Sequence, residues 1–324
     1  MKNIFRKNQP SKFAFYVGNI LSGLTPDFLS QAARKKILSQ YQRQPEAEID
    51  NRVTYYNKLG AAFTPSAQAT TLKELSPTDR SAYYLDFRSV ARYFPSDLIF
   101  DRQFGDVDQT PSHPTFVKAR PLEGDNSNAV LLKLNSVRHF NLVDDSVPFE
   151  AKLDKVVWRG ATNSWHHRAD MLRRYFNNPL CDVGVNKPFF DTKSTDFVRP
   201  SMSLDEQLRY KFVLSLEGND VATNLKWIMS SNSLAFMRRP RFETWFMEGR
   251  LQAGVHYVLL KDDFSDLEEK IDYYSTHAAE ARDIVQNANR YVAQFRDRRR
   301  ERLISLLVLQ KYFLLSGQIP VGAL

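Results

Sequence analysis

The sequence predicts an α/β protein with two lobes, on three observations. Between residues 83 and 260, short runs rich in β-branched and aromatic residues alternate with helical stretches, the pattern of parallel strands joined by crossover helices. The chain is 324 residues long with 43% hydrophobic content, more than one compact core usually holds. The early N-terminal part and the last sixty residues lack that alternation and read as helical.

In chain order, Thr25-Pro26-Asp27 starts a helix through FLSQAARKKILSQY, with Thr as cap, Pro in the first turn and an acidic side chain at the positive dipole end. Pro45 ends it, and residues 51 to 84 read as helix and loop. Strand candidates then follow: YYLDF from Tyr83, SDLIF after Pro95, PTFVKARP, NAVLLKLN and RHFNLV. VVWRG (156 to 160) is a strand ending in Gly, and RADMLRRYF (168 to 176) is a helix. LCDVGV, YKFVLSL, SLAFM and YVLL add four strands, with a helix from Thr223 to Met229. The stretch from Phe264 to Phe295 reads as one helix with apolar spacing at Leu267, Ile271 and Tyr274, capped by Ser265 or Asp266, before a last helix from about Arg300 to Leu315. These elements divide into an N-terminal lobe with a helical extension (1–150), a second lobe (151–295) and a terminal helix (296–324) placed to cross back onto the first.

Composition narrows the function. Cys181 is the one cysteine, so an intrachain disulfide and a cysteine-based zinc site are excluded and a reducing, cytoplasmic setting is expected. The opening MKNIFRKNQPSKFAFYVGNILSGLTP has an apolar stretch interrupted by Asn19 and Ser22, without a small-x-small cleavage pattern, and is read as part of the mature fold. A net charge of +8 suits an acidic partner: a nucleotide sugar, an anionic membrane or a nucleic acid. The run Arg296, Arg298, Arg299, Arg300 and Arg302, mixed with Asp297 and Glu301, fits a solvated helix face or a membrane contact. No recognised nucleic-acid motif is present, and neither is a P-loop or a kinase HRD and DFG pair.

The densest chemistry lies in YKFVLSLEGNDVATNLKWIM (210 to 229). An apolar strand runs into Glu217, Gly218, Asn219 and Asp220, then a helix start carrying Thr223, Asn224 and Lys226. Strand, turn and helix start present backbone N–H groups to an anion, and Lys226 adds a full charge, so this is a diphosphate cradle or an ordinary turn capped by Asp220 or Thr223. Ser230, Ser231 and Ser233 follow within reach or serve packing. Phe242, Trp245 and Phe246 read as core, and His166 and His167 lack a third ligand at metal spacing.

EGNDVATNLKWIMSSNS and PRFETWFMEGRLQAGVHYVLL, with FGDV (104 to 107), PTFVKARP (114 to 121), NAVLLKLNSVRHF (128 to 140) and VVWRGATNSWHHR (156 to 168), resemble glycosyltransferase family 90 in its bacterial, lipopolysaccharide-type branch. That family also holds fungal capsule-associated proteins and animal protein O-glucosyltransferases. The resemblance covers roughly residues 80 to 295. It implies a GT-B fold of two Rossmann-like lobes and a metal-independent, inverting transfer from a UDP-sugar such as UDP-glucose or UDP-xylose, with no cofactor. The implied acceptor is a lipid-linked saccharide, and basic side chains near the termini suit peripheral contact with an anionic inner membrane.

Under this resemblance Asp106 in FGDV is the general base, with Asp108 and Asp101 as rivals, although an Asp beside Gly is by itself an ordinary turn former. Donor-binding candidates are Lys118, Arg120, Arg159, Gly160, Thr162 and Arg168, joined by Glu217, Gly218, Asn219, Asp220, Thr223, Asn224 and Lys226 of the turn. Glu243 is the candidate for the ribose hydroxyls, ahead of Glu248. Asn224 stands where the animal relatives carry an Arg. A non-enzymatic basic protein binding nucleic acid or anionic glycan is the alternative that charge allows.

Overall fold

A computed structural model describes residues 12–23, 26–43, 45–76, 81–162, 166–186 and 196–320. Three helices open it: α1 (Lys12–Gly23), α2 (Asp27–Arg43) and α3 (Ala47–Tyr56). A first set of strands follows, β1 (Thr70–Thr71), then helix α4 (Ser81–Ala91), β2 (Ile99–Gln103), β3 (Thr115–Val117), β4 (Ala119–Pro121) and β5 (Ala129–Leu131), closed by the short helix α5 (Ser136–His139). The second set comprises β6 (Leu153–Gly160), α6 (His166–Tyr175), β7 (Cys181–Val185), α7 (Leu204–Gln207), β8 (Tyr210–Leu214), α8 (Leu225–Met229), β9 (Leu234–Met237), β10 (Phe242–Thr244) and β11 (Val258–Leu259). Helices α9 (Leu267–Thr276), α10 (Ala278–Ala293) and α11 (Arg298–Leu315) complete it.

Strands β1-β2-β3-β5 form an N-terminal sheet, parallel except for β1, and β11-β9-β8-β6-β7 form a wholly parallel C-terminal sheet. The middle strands of the second sheet read as continuous apolar runs because helices cover both faces; Phe212, Val213 and Leu214 of β8 are fully buried. The antiparallel pair β4 and β10 matches Arg120 with Glu243, linking the segment after β3 to the segment after β9.

Two strand expectations give way to helix. YYLDF lies inside α4, where Tyr83, Phe87 and Ala91 are buried at successive fourth positions and Phe87 stacks on Phe100 of β2. Aromatic residues suggested a strand, but the tertiary contact favours a helical face. RHFNLV begins in α5 instead: Asn135 takes a left-handed conformation at φ 56°, and Asp86 accepts hydrogen bonds from the Ser136 amide and hydroxyl, both at 2.7 Å. The single helix expected from Phe264 to Phe295 is two, parted at His277, whose ring stacks on Tyr273. The Thr25 cap lies outside the described residues.

Helix α11 packs on α3 and α4. Asn57 donates to the Val308 carbonyl, Tyr312 donates to that of Pro114, and Arg52 pairs with Glu301 at 2.6 Å. Asp297 caps α11 by accepting from the Arg299 and Arg300 amides, and Arg300 pairs with Glu46 and Glu48. No helix among the described residues is long and apolar enough to cross a membrane.

Candidate functional site

Open α/β sheets take their ligands outside the carboxyl ends of their strands. In the C-terminal sheet those ends are Gly160–Thr162 after β6, Ser215–Asp220 after β8 and Arg238–Arg241 after β9. Gly160 is required by close packing, since a Cβ there would meet the Trp158 ring at 2.4 Å. Arg168 on α6 ties the first two ends together. It donates to the carbonyls of Ala161 (2.6 Å), Leu216 (2.7 Å) and Glu217 (3.0 Å), and burial, partly opposed by Glu217, lowers its pKa to about 10. Gly218 lies beneath this guanidinium.

At the carboxyl ends of β8 and β9 lies a cleft lined in part by Ser215, Glu217, Asp220, Arg238, Arg239, Arg241 and Glu248. Arg238 is buried and pairs with Glu217. Arg241 is exposed, with Asp262 3.9 Å away, and Arg239 is exposed with no carboxylate partner among the described residues. The Ser215 and Thr162 hydroxyls are buried at strand ends without a hydrogen-bond partner among the described residues. A hydroxyl in that state is costly unless a ligand or water completes it.

The loop after β2 reaches the same turn. Gly105, at φ 127°, makes the bend that precedes Asp106. Asp106 Oδ2 accepts from Asn219 Nδ2 at 2.8 Å, and Asp106 Oδ1 lies 2.7 Å from Lys118 Nζ. The same ammonium is 2.7 Å from Asp220 Oδ2, so one buried lysine joins two carboxylates from the two sheets. Burial raises Asp106, but the Lys118 bond and charge, the Asn219 amide and the charge of Arg138 outweigh it and hold the carboxyl below its ordinary range. Asp220, more deeply buried and facing Asp106, is raised despite Lys118. Burial would lower Lys118, yet Asp220, Tyr83 and Asp106 leave it raised and charged.

Asp101 lies elsewhere, accepting from the Ser66 amide and hydroxyl, and Asp108 is exposed.

Several other sequence candidates are committed to internal partners. Arg120 is fully buried, bonded to Glu243 and to the carbonyls of Tyr55, Tyr56 and Ala129, while Tyr55 donates to Glu243. Arg159 pairs with Asp182 at 2.7 Å and donates to the carbonyls of Trp158, Asp182 and Pro200. Lys226 is buried against Glu248 at 2.5 Å, with its ammonium over the Phe246 ring. Asn224 turns back to the Leu214 carbonyl at 2.9 Å, and Thr223 is half-buried beside it. Helix α8 spans only five residues, all buried, and the exposed arginines near the strand ends, Arg239 and Arg241, lie past β9. Sequence reasoning passed over Ser215, Arg238, Arg239, Arg241 and the α5 pair Arg138 and His139. The readable signal was RRPR directly after an apolar strand. His139 is held well below its ordinary pKa by burial and by the charges of Lys226, Lys118 and Arg138, so it is neutral. No group of three His, Cys, Asp or Glu side chains among the described residues is disposed to hold a metal ion.

Fold and crevice define an α/β protein with a polar cleft at the strand ends of its C-terminal sheet, where three arginines stand among three carboxylates. Residues 131–311 match the model of Glycosyl transferase family 90. The chain belongs to this family and is a glycosyltransferase. It is similar to O-glucosyltransferase LpsA of Dichelobacter nodosus, at 47% identity over 306 residues, which is 93% of this chain and 95% of the relative. Protein O-glucosyltransferase 2 of Danio rerio is 27% identical over 141 residues, 42% of this chain and 28% of its own. Protein O-glucosyltransferase 3 of Homo sapiens is 26% identical over 165 residues, 50% and 32% of the two chains.

Proposed function

We propose that this glycosyltransferase moves a sugar, glucose in the first instance and a pentose such as xylose in the second, from a UDP-sugar to a hydroxyl of a saccharide acceptor. The observation that carries the reading is that Asp106 shares Lys118 with Asp220, which lines the crevice together with Arg238, Arg239 and Arg241. Glucose and an oxygen acceptor are supported by the name of the relative from Dichelobacter nodosus, O-glucosyltransferase LpsA. The fold reading is GT-B, with residues 1–150 as the acceptor-side lobe, 151–295 as the nucleotide-sugar lobe and 296–324 as a helix returning to the first. The biological reading is synthesis of lipopolysaccharide or another surface glycan on a lipid carrier at the cytoplasmic face of the inner membrane.

In this mechanism the acceptor oxygen attacks the anomeric carbon from the face opposite the diphosphate. Its proton passes to an Asp106 carboxylate oxygen as the new C–O bond forms. The bond from the anomeric carbon to the diphosphate oxygen breaks, UDP leaves with the electron pair, and the anomeric configuration inverts. The arginines balance the charge growing on the leaving phosphate, which is the work a metal ion does in other transferases. The depressed pKa keeps Asp106 ionised at neutral pH, the form a base requires. Ser215 and Thr162 are the hydroxyls that the donor would satisfy.

The test is calorimetric titration with UDP, GDP, CMP, UDP-glucose and UDP-xylose in EDTA. Selective UDP binding that survives the chelator is expected; absence of binding by every nucleotide would refute the donor reading.

A further inference from the structure

The positive charge of this chain is not spread evenly. Residues 1–43 hold eight Lys and Arg against Asp27 alone, a net +7 of the chain's +8. The arginine run at 296–302 adds only +3 and is mixed with two acids, one of which caps α11. None of the described residues before Arg43 lines the strand-end cleft, so their charge calls for another explanation.

Helix α2 divides cleanly into two faces. Ser30, Arg34 and Leu38, four residues apart, are buried, and the Arg34 guanidinium lies 4.5 Å from the centre of the Phe94 ring. The opposite face exposes Phe28, Leu29, Ala32, Lys35 and Lys36, at the i, i+4, i+7 spacing of one helical stripe. Phe28 is 67% and Leu29 49% exposed, and Phe13 at the start of α1 is 77% exposed. Large apolar side chains on this scale are normally covered, and Phe28 and Leu29 side by side on one helix mark an interaction surface. Neither Lys35 nor Lys36 pairs with a carboxylate among the described residues, so both cations face outward uncompensated.

We infer that the outward face of α2 docks on an anionic lipid bilayer. The chemistry is that of an interfacial helix: aromatic and aliphatic side chains enter the acyl boundary while lysines on the same stripe meet acidic headgroups. A protein partner of matching shape would satisfy the apolar residues, but Lys35 and Lys36 on the same stripe, in a segment whose sequence carries a net +7, select an acidic, laterally continuous surface. This docking stands on the α2 surface alone and does not depend on the donor-site reading.

The test is flotation of the full chain, without nucleotide, with vesicles of phosphatidylcholine alone or mixed with phosphatidylglycerol. Binding to the mixed vesicles only, weakened by salt, is expected. Lys35→Gln with Lys36→Gln should lower it by about 25-fold, at roughly fivefold per lysine near an acidic surface. Phe28→Ser should lower it separately. All these side chains are exposed, and unchanged thermal melting identifies the variants as folded. Failure to bind mixed vesicles, or binding indifferent to both sets of substitutions, would overturn the inference. A concentration-dependent dimer dissolved by Phe28→Ser would also overturn it, assigning the face to a second copy.

Discussion

Asn219 donates from Nδ2 to Asp106 Oδ2 at 2.8 Å, joining the turn after β8 to the loop after β2. The partners are 113 residues apart in sequence. This bond fixes one carboxylate oxygen, while Lys118 on the other holds its acidity below the ordinary range. A side chain held on both oxygens by different elements is a positioned group, whereas a turn-forming Asp bonds its own neighbouring backbone.

Lys118→Met should raise the acid limb of the activity profile. In the wild type, Asp106 stays ionised below the ordinary carboxylate pKa of about 3.9. Activity governed by this base is therefore full at neutral pH and lost only as pH falls through the depressed value. Without the ammonium, the limb moves to higher pH. Leaving Asp220 buried and unpaired should also cost about 3–5 kcal/mol of stability. A pH–rate profile and a urea melt measure the two effects.

Arg239→Ala should weaken UDP binding with little change in folding, within about 0.5 kcal/mol, because the side chain is exposed and unpaired among the described residues. Arg238→Ala should do both, since it removes the buried partner of Glu217. Calorimetric titration beside thermal melting separates them; equal destabilisation by the two would count against a ligand role for Arg239.

Asp86 gives a pH signature in stability. Burial, opposed by the bonds from Ser136 and by Lys133, raises its pKa to about 7. A carboxyl raised in the folded state favours folding below the unfolded pKa, and that contribution is lost as pH rises through the folded value. Asp86→Asn should therefore flatten the stability change between about pH 4 and 7. Chemical denaturation across that range checks it.

Glu301 is the hub of the α11 contact, with Arg52 at 2.6 Å, Trp245 Nε1 at 2.7 Å and Lys133 at 3.0 Å. Glu301→Ala leaves Arg52 buried and uncompensated and should cost about 3–5 kcal/mol. A large fall in melting temperature is the expected readout.

Much of the C-terminal sheet was legible because β6, β8 and β9 are apolar runs with turn residues at their ends. Helix α4 was not, because Tyr83, Tyr84 and Phe87 suit strands and helices alike, and only the contacts of Phe87 with Phe100 and Phe116 and of Tyr83 with Phe104 select the helix. Within the site, Asn219 and Asp220 stood out by their place in a strand-turn-helix start, while Asp106 and Lys118 were singled out by the family resemblance, and the fold brings the four together. Arg120, Arg159 and Lys226 had the same ligand-binding chemistry on paper. Their partners Glu243, Asp182 and Glu248 lie 123, 23 and 22 residues away in sequence, a pairing that no local pattern announces. Arg239 and Arg241 were passed over for the converse reason: cations just past a strand look like a solvated turn until the sheet gathers its ends.

The most direct measurement is the rate of sugar transfer by Asp106→Asn beside its affinity for UDP-glucose. Donor binding should be unchanged and the rate lower by about 10²–10⁴-fold, the usual contribution of a general base. A rate near that of the wild type, with the donor bound, would contradict the assignment of Asp106 as the base.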